Sequence, residues 1–185
     1  MLRYGSTPAK AIALLAYLAV QRDVIREGLA AVFWAESASD RARATLRRTL
    51  SALRAGVGSE MITADRNRIA LTERFWVGTD EFESTLATTM SHGHDSSDVC
   101  PNCIPDLERA TSLYRGDFLV GFSIRDAPEF EDWARNLAES FRIRAGEAFN
   151  RLAIGGAAAG QYAEAIAAAR DGATSTHSTS RRIVS

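Results

Sequence analysis

Residues 39–58 have the sequence SDRARATLRRTLSALRAGVG, and this stretch decides the fold of the first half of the chain. It holds five arginines and one acid, Asp40, in a chain whose formal net charge is −1. Placed on a helix, its apolar residues share a sector of about 100°: Ala42, Leu46, Thr49, Leu50, Leu53 and Val57. The pattern predicts an amphipathic helix over residues 41–55, capped by Ser39 or Asp40 and ended by Gly56 and Gly58.

The outward face of this predicted helix is basic. Arginine donates hydrogen bonds in a fork that suits phosphates and guanine edges, and small residues between arginines let a backbone approach another surface. The alternative is a solvated charged face, but such faces usually mix signs, and no acid lies between Asp40 and Glu60. We therefore predict contact with a DNA groove by five residues: Arg41, Arg43, Arg47, Arg48 and Ser51. Arg41, Arg43 and Arg54 lie on the flanks of the outward face, and the outermost arginines are expected on phosphates.

The flanking segments extend this pattern into a winged helix-turn-helix order. AKAIALLAYLAVQ (9–21), after Thr7 as cap and Pro8, and REGLAAVFW (26–34) predict two helices. MITADRNRIAL (61–71) alternates on both sides of turn residues 65–67 and predicts a β-hairpin, and RFWVGT (74–79) predicts a further strand. Arg66 and Arg68 at the hairpin tip are predicted to hold DNA phosphates.

The second half predicts a helical domain. Helices are expected over residues 79–90, 105–114, 128–156 and 159–172, and the last two resemble a tetratricopeptide hairpin. The three tryptophans, Trp34, Trp76 and Trp133, are expected in the core. The fold class is thus mainly α, with a winged-helix domain at 1–78, a tetratricopeptide-like domain at 79–171 and a disordered tail at 172–185.

Several of these segments together resemble one family. AKAIALLAYLAV, LAAVFW, RARATLRRTLSALR, LYRGDFLVGF and EFEDWARNLAESFR resemble activators of the Streptomyces antibiotic regulatory protein type, over roughly residues 7–171. The resemblance implies an OmpR-like winged helix followed by a bacterial transcriptional activator domain. It also implies binding to promoter direct repeats in double-stranded DNA, often as a homodimer, and contact with RNA polymerase.

The chain departs from that family in two places. Family members begin with several strands before the first helix, whereas only MLRYGS precedes it here, so those strands are reduced or missing. Ile25 stands before the second helix, where the family has Ser or Thr, and its side chain cannot cap a helix. The alternative function is therefore a truncated helical adaptor that binds proteins and not DNA.

Charge and composition narrow the classes further. Residues 1–79 hold 12 Lys and Arg against 7 Asp and Glu, whereas residues 80–185 hold 10 against 16, a split typical of a basic module joined to an acidic one. No apolar run reaches the length of a membrane span and no signal peptide is evident, so we expect a cytoplasmic, nucleoid-associated protein. No catalytic constellation is evident, since the acids Glu129, Glu131 and Asp132 fit a helix N-terminus, and we expect no enzymatic activity.

One loop carries metal-ligating residues. HGHDSSDVCPNC places His92, His94, Cys100 and Cys103 within twelve residues, the donor set of a tetrahedral Zn²⁺ site. A structural zinc, free thiols in a plain loop, and a redox pair or disulfide all fit this spacing, so no cofactor is certain.

Overall fold

The computed structural model describes residues 9–95, 98–160 and 162–177. It is mainly helical, with one small three-stranded antiparallel sheet, as the predicted fold class requires at this coarse level. The chain divides into two compact units. Unit 1 comprises the described residues up to Val77 together with Gly121–Trp133, and unit 2 comprises Gly78–Val120 and the described residues from Ala134 onward. Residues 121–133 therefore belong to unit 1, although the sequence pattern had placed them in a second domain at 79–171.

The first two helices of unit 1 follow the hydrophobic pattern. Helix α1 is Ala9–Gln21 and helix α2 is Arg26–Trp34. Ile25 precedes α2 in extended conformation and makes no side-chain capping bond, as expected for an apolar residue. The expected cap of α1, Thr7 with Pro8, lies outside the described residues.

Helix α3, Ser39–Val57, is longer than predicted at both ends. The prediction of Ser39 or Asp40 as cap is wrong, because Ala38 occupies that position and its carbonyl accepts the N–H of Ala42 at 3.0 Å. Helical bonding thus begins early enough to place Asp40 in the first turn, where an acid is favourable to the helix dipole. The helix also passes through Gly56. It ends only before Gly58, whose φ of 104° is left-handed.

The sheet consists of β1 (Asp23–Ile25), β2 (Ile62–Ala64) and β3 (Arg68–Leu71), in the order β1-β3-β2. Strands β2 and β3 form the predicted hairpin, with Ile62 opposite Leu71. The strand predicted at residues 74–79 is wrong: the third strand is β1, which is too short to carry a periodic signal. The N–H of Phe75 instead donates to the carbonyl of Thr72 in a turn.

The core of unit 1 forms where α3 meets α1, α2 and the sheet. The predicted stripe of α3 is buried except at Val57, which is half-buried. Phe33 is fully buried and stacks on Phe130 with ring centroids 5.1 Å apart, which draws Gly121–Trp133 into this core. Trp34 is buried as expected, but Trp76 is 67% exposed, so its placement in the core is wrong.

Unit 2 contains α4 (Gly78–Met90), α5 (Cys103–Leu113), most of α6 (Pro128–Ala158) and α7 (Tyr162–His177). Its core joins four helices through six buried residues: Phe82, Ala110, Phe141, Ala145, Phe149 and Ala168. Helix α7 continues to His177, so disorder from residue 172 is wrong as far as residue 177. A side chain at Gly172 would meet Phe149 at 2.9 Å, which shows how closely α7 approaches α6 there. Residues 178–185 lie outside the described residues.

Candidate functional site

The exposed face of α3 carries most of the predicted DNA contacts. Leu46, Leu50 and Leu53 turn inward and are nearly inaccessible. Arg41, Arg47, Arg48 and Ser51 are exposed, and we refer to them as the basic face. The face is fixed in orientation because the leucines on the opposite side are packed in the core of unit 1.

The arginines of the basic face have no acidic partners. Among the described residues, no carboxylate pairs with Arg41, Arg47 or Arg48. Arg48 makes a long hydrogen bond, from Nη2 to the hydroxyl of Thr45 at 3.5 Å. Three guanidinium groups on one helix face are thus left with their donors directed to solvent.

Two other predicted arginines of α3 are engaged within the protein. Arg43 pairs with Glu27 at 2.7 Å and lies 3.9 Å from Asp40, so its charge is compensated. Arg54 is half-buried and donates from Nη2 to the carbonyl of Ile62 at 2.9 Å. The structure therefore corrects the prediction for Arg54, because this side chain ties α3 to β2 and is not presented on the flank.

The hairpin separates its two arginines in the same way. Arg66 is exposed and has no carboxylate partner in the described chain. Arg68 is clamped by Asp23 of β1, with Nε 3.0 Å from both carboxylate oxygens, and this pairing raises the pKa of Arg68. The tip is ordered by Asp65, whose Oδ1 accepts the backbone N–H groups of Asn67 and Arg68; these bonds lower the pKa of Asp65.

A cleft of about 590 Å³ in unit 1 lies between α2, α3 and the hairpin tip. Four arginines and two acids contribute to its lining: Arg26, Arg43, Arg47, Arg66, Glu27 and Asp65. Arg26 was missed at the sequence level, because its position in the first turn of α2 gave no sign that the hairpin tip would fold next to it. Its guanidinium donates to the carbonyl of Asp65.

The second candidate site is in unit 2, where the structure brings together His92, His94, Cys100 and Cys103, hereafter the tetrad. One donor atom from each residue lies within 4.8 Å of the other three, an arrangement that can hold a metal ion. The histidines follow the end of α4, and Cys103 begins α5. The two sulfur atoms are 3.6 Å apart, with no disulfide between them.

The histidines direct opposite ring nitrogens into the tetrad. His92 Nδ1 is 3.3 Å from Cys103 Sγ, and His94 Nε2 is 3.2 Å from the same atom. The remaining nitrogens face oxygen atoms outside the tetrad: His94 Nδ1 is 2.8 Å from the carbonyl of Asp95, and His92 Nε2 is 3.8 Å from Asp106 Oδ2. Such outer oxygens are the usual means of orienting a metal-bound imidazole.

The two thiols differ in acidity. Burial acts to raise the pKa of Cys100, but hydrogen bonds from Cys103, the backbone of residues 102–103 and His92 prevail and lower that pKa to about 6. Burial raises the pKa of Cys103, which is fully inaccessible. The sequence motif identified the four residues of the tetrad but not Asp106, since an acid in a first helical turn is common without any metal.

The acids at the start of α6 have a structural role, as the sequence suggested. Glu131, one of the acids at the start of α6, accepts the backbone N–H of Ile124 at 2.5 Å, a structural contact. Within the described residues, no helix combines the length and apolar character that crossing a bilayer requires.

No protein-family model matches the chain, and no curated protein is significantly similar to it. Proposals about function therefore rest on the residues of these two sites.

Proposed function

We propose that this protein is a sequence-specific DNA-binding transcriptional regulator of the activator type. The observation that carries the proposal is the basic face of α3, where Arg41, Arg47 and Arg48 have no acidic partner among the described residues. Uncompensated like charges on one helix repel one another, and the phosphates of a polyanion offset that repulsion. The counterions that the polyanion then releases favour the association further.

The shape of α3 suits a DNA major groove. A helix with its side chains is about 10–12 Å across, and the major groove of B-DNA is about 12 Å wide. Ala44 and Ser51 lie between the arginines, so the helix backbone can approach the base edges. Arg48 and Arg47 are assigned to base edges or nearby phosphates, and Arg41 at the start of the helix is assigned to a phosphate.

The hairpin is assigned to the DNA backbone as a wing. Arg66 at the exposed tip is the residue proposed to reach a phosphate. Arg68, which directly follows the turn and is held by Asp23, is proposed to fasten the hairpin to β1 beside its tip and so to orient the tip. Arg43 and Arg54 are removed from the set of primary contacts because both have protein partners.

The finer architecture belongs to the same proposal. Three helices followed by a hairpin form the order of a winged helix-turn-helix, and the helices of unit 2 fit a tetratricopeptide-like arrangement. We assign unit 2 to homodimerisation or contact with RNA polymerase, and unit 1 to promoter direct repeats, following the family that the segments resemble. A cytoplasmic, nucleoid-associated location and the lack of enzymatic activity follow from that assignment.

The experiment measures the DNA affinity of Arg48→Ala and Arg66→Ala for two duplexes. One duplex is selected for tight binding to the wild-type protein, and the other has the same bases in scrambled order. Loss of the wing contact is expected to weaken binding to both duplexes alike and to reduce the salt slope by about one unit. Loss of Arg48 is expected also to reduce the preference for the selected duplex, since one bidentate base contact discriminates by about 1–3 kcal/mol.

Arg109→Ala is the control, because Arg109 lies in unit 2 and pairs with Glu81 through Nε at 2.7 Å. Equal binding of wild type and all three variants to both duplexes would reject DNA recognition by α3. That outcome would favour the alternative, a helical protein-interaction adaptor without DNA binding.

For the tetrad we propose Zn²⁺ as the metal. Tetrahedral bonds of about 2.3 Å to sulfur and about 2.0–2.1 Å to nitrogen place two sulfurs about 3.8 Å apart and sulfur and nitrogen about 3.6 Å apart. The separations in the tetrad, 3.6 Å between sulfurs and 3.2–3.6 Å between sulfur and nitrogen, are close to those values. Four protein donors leave no open position, so the site is structural and not catalytic.

A further inference from the structure

We infer that the zinc ion fastens the end of α4 to the start of α5, that Asp106 is a positioning residue for His92, and that the folding of unit 2 is thereby linked to zinc. The inference rests on the proposed identity of the metal. It goes further by assigning the ion a task in the fold and by naming a group outside the tetrad on which the site depends.

The connection between α4 and α5 has few buried contacts that would hold it in place without a metal ion. The helices end and begin at Met90 and Cys103, and the described positions between them are exposed or half-exposed. Among its described residues, Val99 and Cys100 pack against the cluster of Cys103, Leu107 and Ala148, and a Cβ on Gly155 of α6 would lie 2.6 Å from Val99. A long polar connection with so few apolar contacts gains most from a cross-link that removes conformational freedom.

The second argument is the position of the tetrad at the edge of a core. Cys103 packs in a cluster with Leu107 and Ala148, so one ligand is already fixed by α5 and α6. Thr89, the penultimate residue of α4, is also fully buried, and its carbonyl lies 3.9 Å from Cys103 Sγ. A metal bound here therefore connects the loop histidines to a rigid point shared by three helices.

The third argument concerns the orientation of the imidazoles. His94 presents Nε2 to the tetrad because Nδ1 is held by the carbonyl of Asp95. His92 presents Nδ1, and the carboxylate of Asp106 faces its Nε2 at 3.8 Å. The carboxylate of Asp106 thus lies on the outer side of His92, where outer oxygens usually fix the tautomer and the orientation of a metal-bound imidazole.

The fourth argument is charge. Two thiolates and two neutral imidazoles balance the charge of Zn²⁺, so the filled site is neutral. Arg151 of α6 lies beside it: Nη1 donates to the hydroxyl of Thr89 at 2.9 Å, while Nε and Nη2 are buried without a partner. The filled site therefore adds no net charge beside this half-buried cation.

Metal content and unfolding of the full chain test the inference. Protein purified without chelators is expected to hold one zinc per chain. Removal of that zinc by a chelator is expected to lower the melting temperature of the transition assigned to unit 2 by about 10 °C or more, and added Zn²⁺ is expected to restore it. Substitution by Co²⁺ is expected to give the intense visible d–d bands of tetrahedral sulfur–nitrogen coordination.

The role of Asp106 is tested with Asp106→Ala, and with Asp106→Asn in case the alanine variant does not fold. Loss of an outer carboxylate is expected to weaken zinc affinity about 10- to 100-fold. Glu108→Ala is the matched control, because it removes an exposed acid from the same helix without touching the tetrad, and it is expected to keep the wild-type affinity.

The outcomes separate the two proposals. Less than a tenth of an equivalent of metal, with no uptake of Zn²⁺ or Co²⁺, would reject the zinc ion itself. Stoichiometric zinc with an unchanged melting temperature after chelation would leave the ion in place and overturn its link to folding. Equal zinc affinities for the Asp106 and Glu108 variants would overturn the positioning role.

Discussion

Arginines serve different purposes in the two units of this protein. In unit 2, Arg109, Arg142 and Arg144 each pair with a carboxylate: Glu81, Asp117 and Glu83 respectively. On α3 of unit 1, Arg41, Arg47 and Arg48 have the same side chain and no such partner among the described residues. The difference teaches that positive charge alone does not identify a binding surface. What identifies it is charge that the protein leaves unpaired on a rigid element.

The same distinction holds within unit 1. Arg43 and Arg68 are paired with Glu27 and Asp23, whereas Arg66 has no carboxylate partner in the part of the chain that the structure describes. Pairing fixes a guanidinium in place and reduces its attraction for phosphates. A paired arginine therefore contributes to the stability of the fold, and an unpaired arginine contributes to DNA binding. The comparison predicts that stability and DNA affinity will respond to different arginines.

The largest expected effect is on stability. Arg142→Ala removes a guanidinium that is 13% exposed and is bound to Asp117 at 2.7 Å, so that this carboxylate keeps the hydrogen bond from Tyr114 but loses the guanidinium. The free energy of unfolding of unit 2 is expected to fall by about 2 kcal/mol, measured by urea denaturation. Arg47→Ala is the counterpart on the basic face and is expected to change stability by less than about 0.5 kcal/mol. Equal losses in the two variants would break the comparison.

Arg54→Met tests whether Arg54 contributes to the stability of unit 1 and not to DNA binding. The methionine keeps an apolar stem but loses the bond from Nη2 to the carbonyl of Ile62. We expect the free energy of unfolding to fall by about 1 kcal/mol, and DNA affinity of the folded protein to stay near the wild-type value. If the folded Arg54→Met protein lost as much DNA affinity as Arg48→Ala, Arg54 would have to be counted among the DNA contacts again.

The smallest expected effect comes from releasing a paired arginine. Asp23→Asn removes the carboxylate that clamps Arg68, so this guanidinium becomes available to a phosphate. Binding is expected to tighten several-fold at low salt, with a salt slope steeper by up to about one unit. In the double variant Asp23→Asn/Arg68→Ala the steeper slope should disappear. If it persists, the gain arises from the lost negative charge and not from Arg68.

Much of unit 1 could be predicted from the sequence because its helices are periodic and its hairpin is marked by turn residues. Leu46, Leu50 and Leu53 define the inward side of α3, and the outward side follows from geometry. Strand β1 could not be predicted, since three residues carry no period and their pairing depends on β3, which lies more than 40 residues away. The exposure of Trp76 was missed for a related reason, because the strand expected there is a turn.

The residues of both candidate sites could be predicted from the sequence, but the contacts that those residues make could not. The arginines of α3 are evident in the sequence, but their pairing depends on acids that the fold brings near, such as Glu27 for Arg43. The tetrad was suggested by four residue types in one loop, whereas the convergence of their donor atoms depends on where α4 ends and α5 begins. Asp106 and Arg151 acquire meaning only in three dimensions.

The most direct test of the central claim is the salt dependence of DNA binding by the wild-type chain. Fluorescence anisotropy with a labelled duplex, repeated over a range of salt concentrations, gives the slope of log K against log [salt]. Four arginines have no carboxylate partner within the described ranges, Arg41, Arg47, Arg48 and Arg66, and they predict a linear slope of about −3 to −4. Absence of binding at low salt, or a slope near zero, would contradict the claim that the basic face of α3 is a DNA-binding surface.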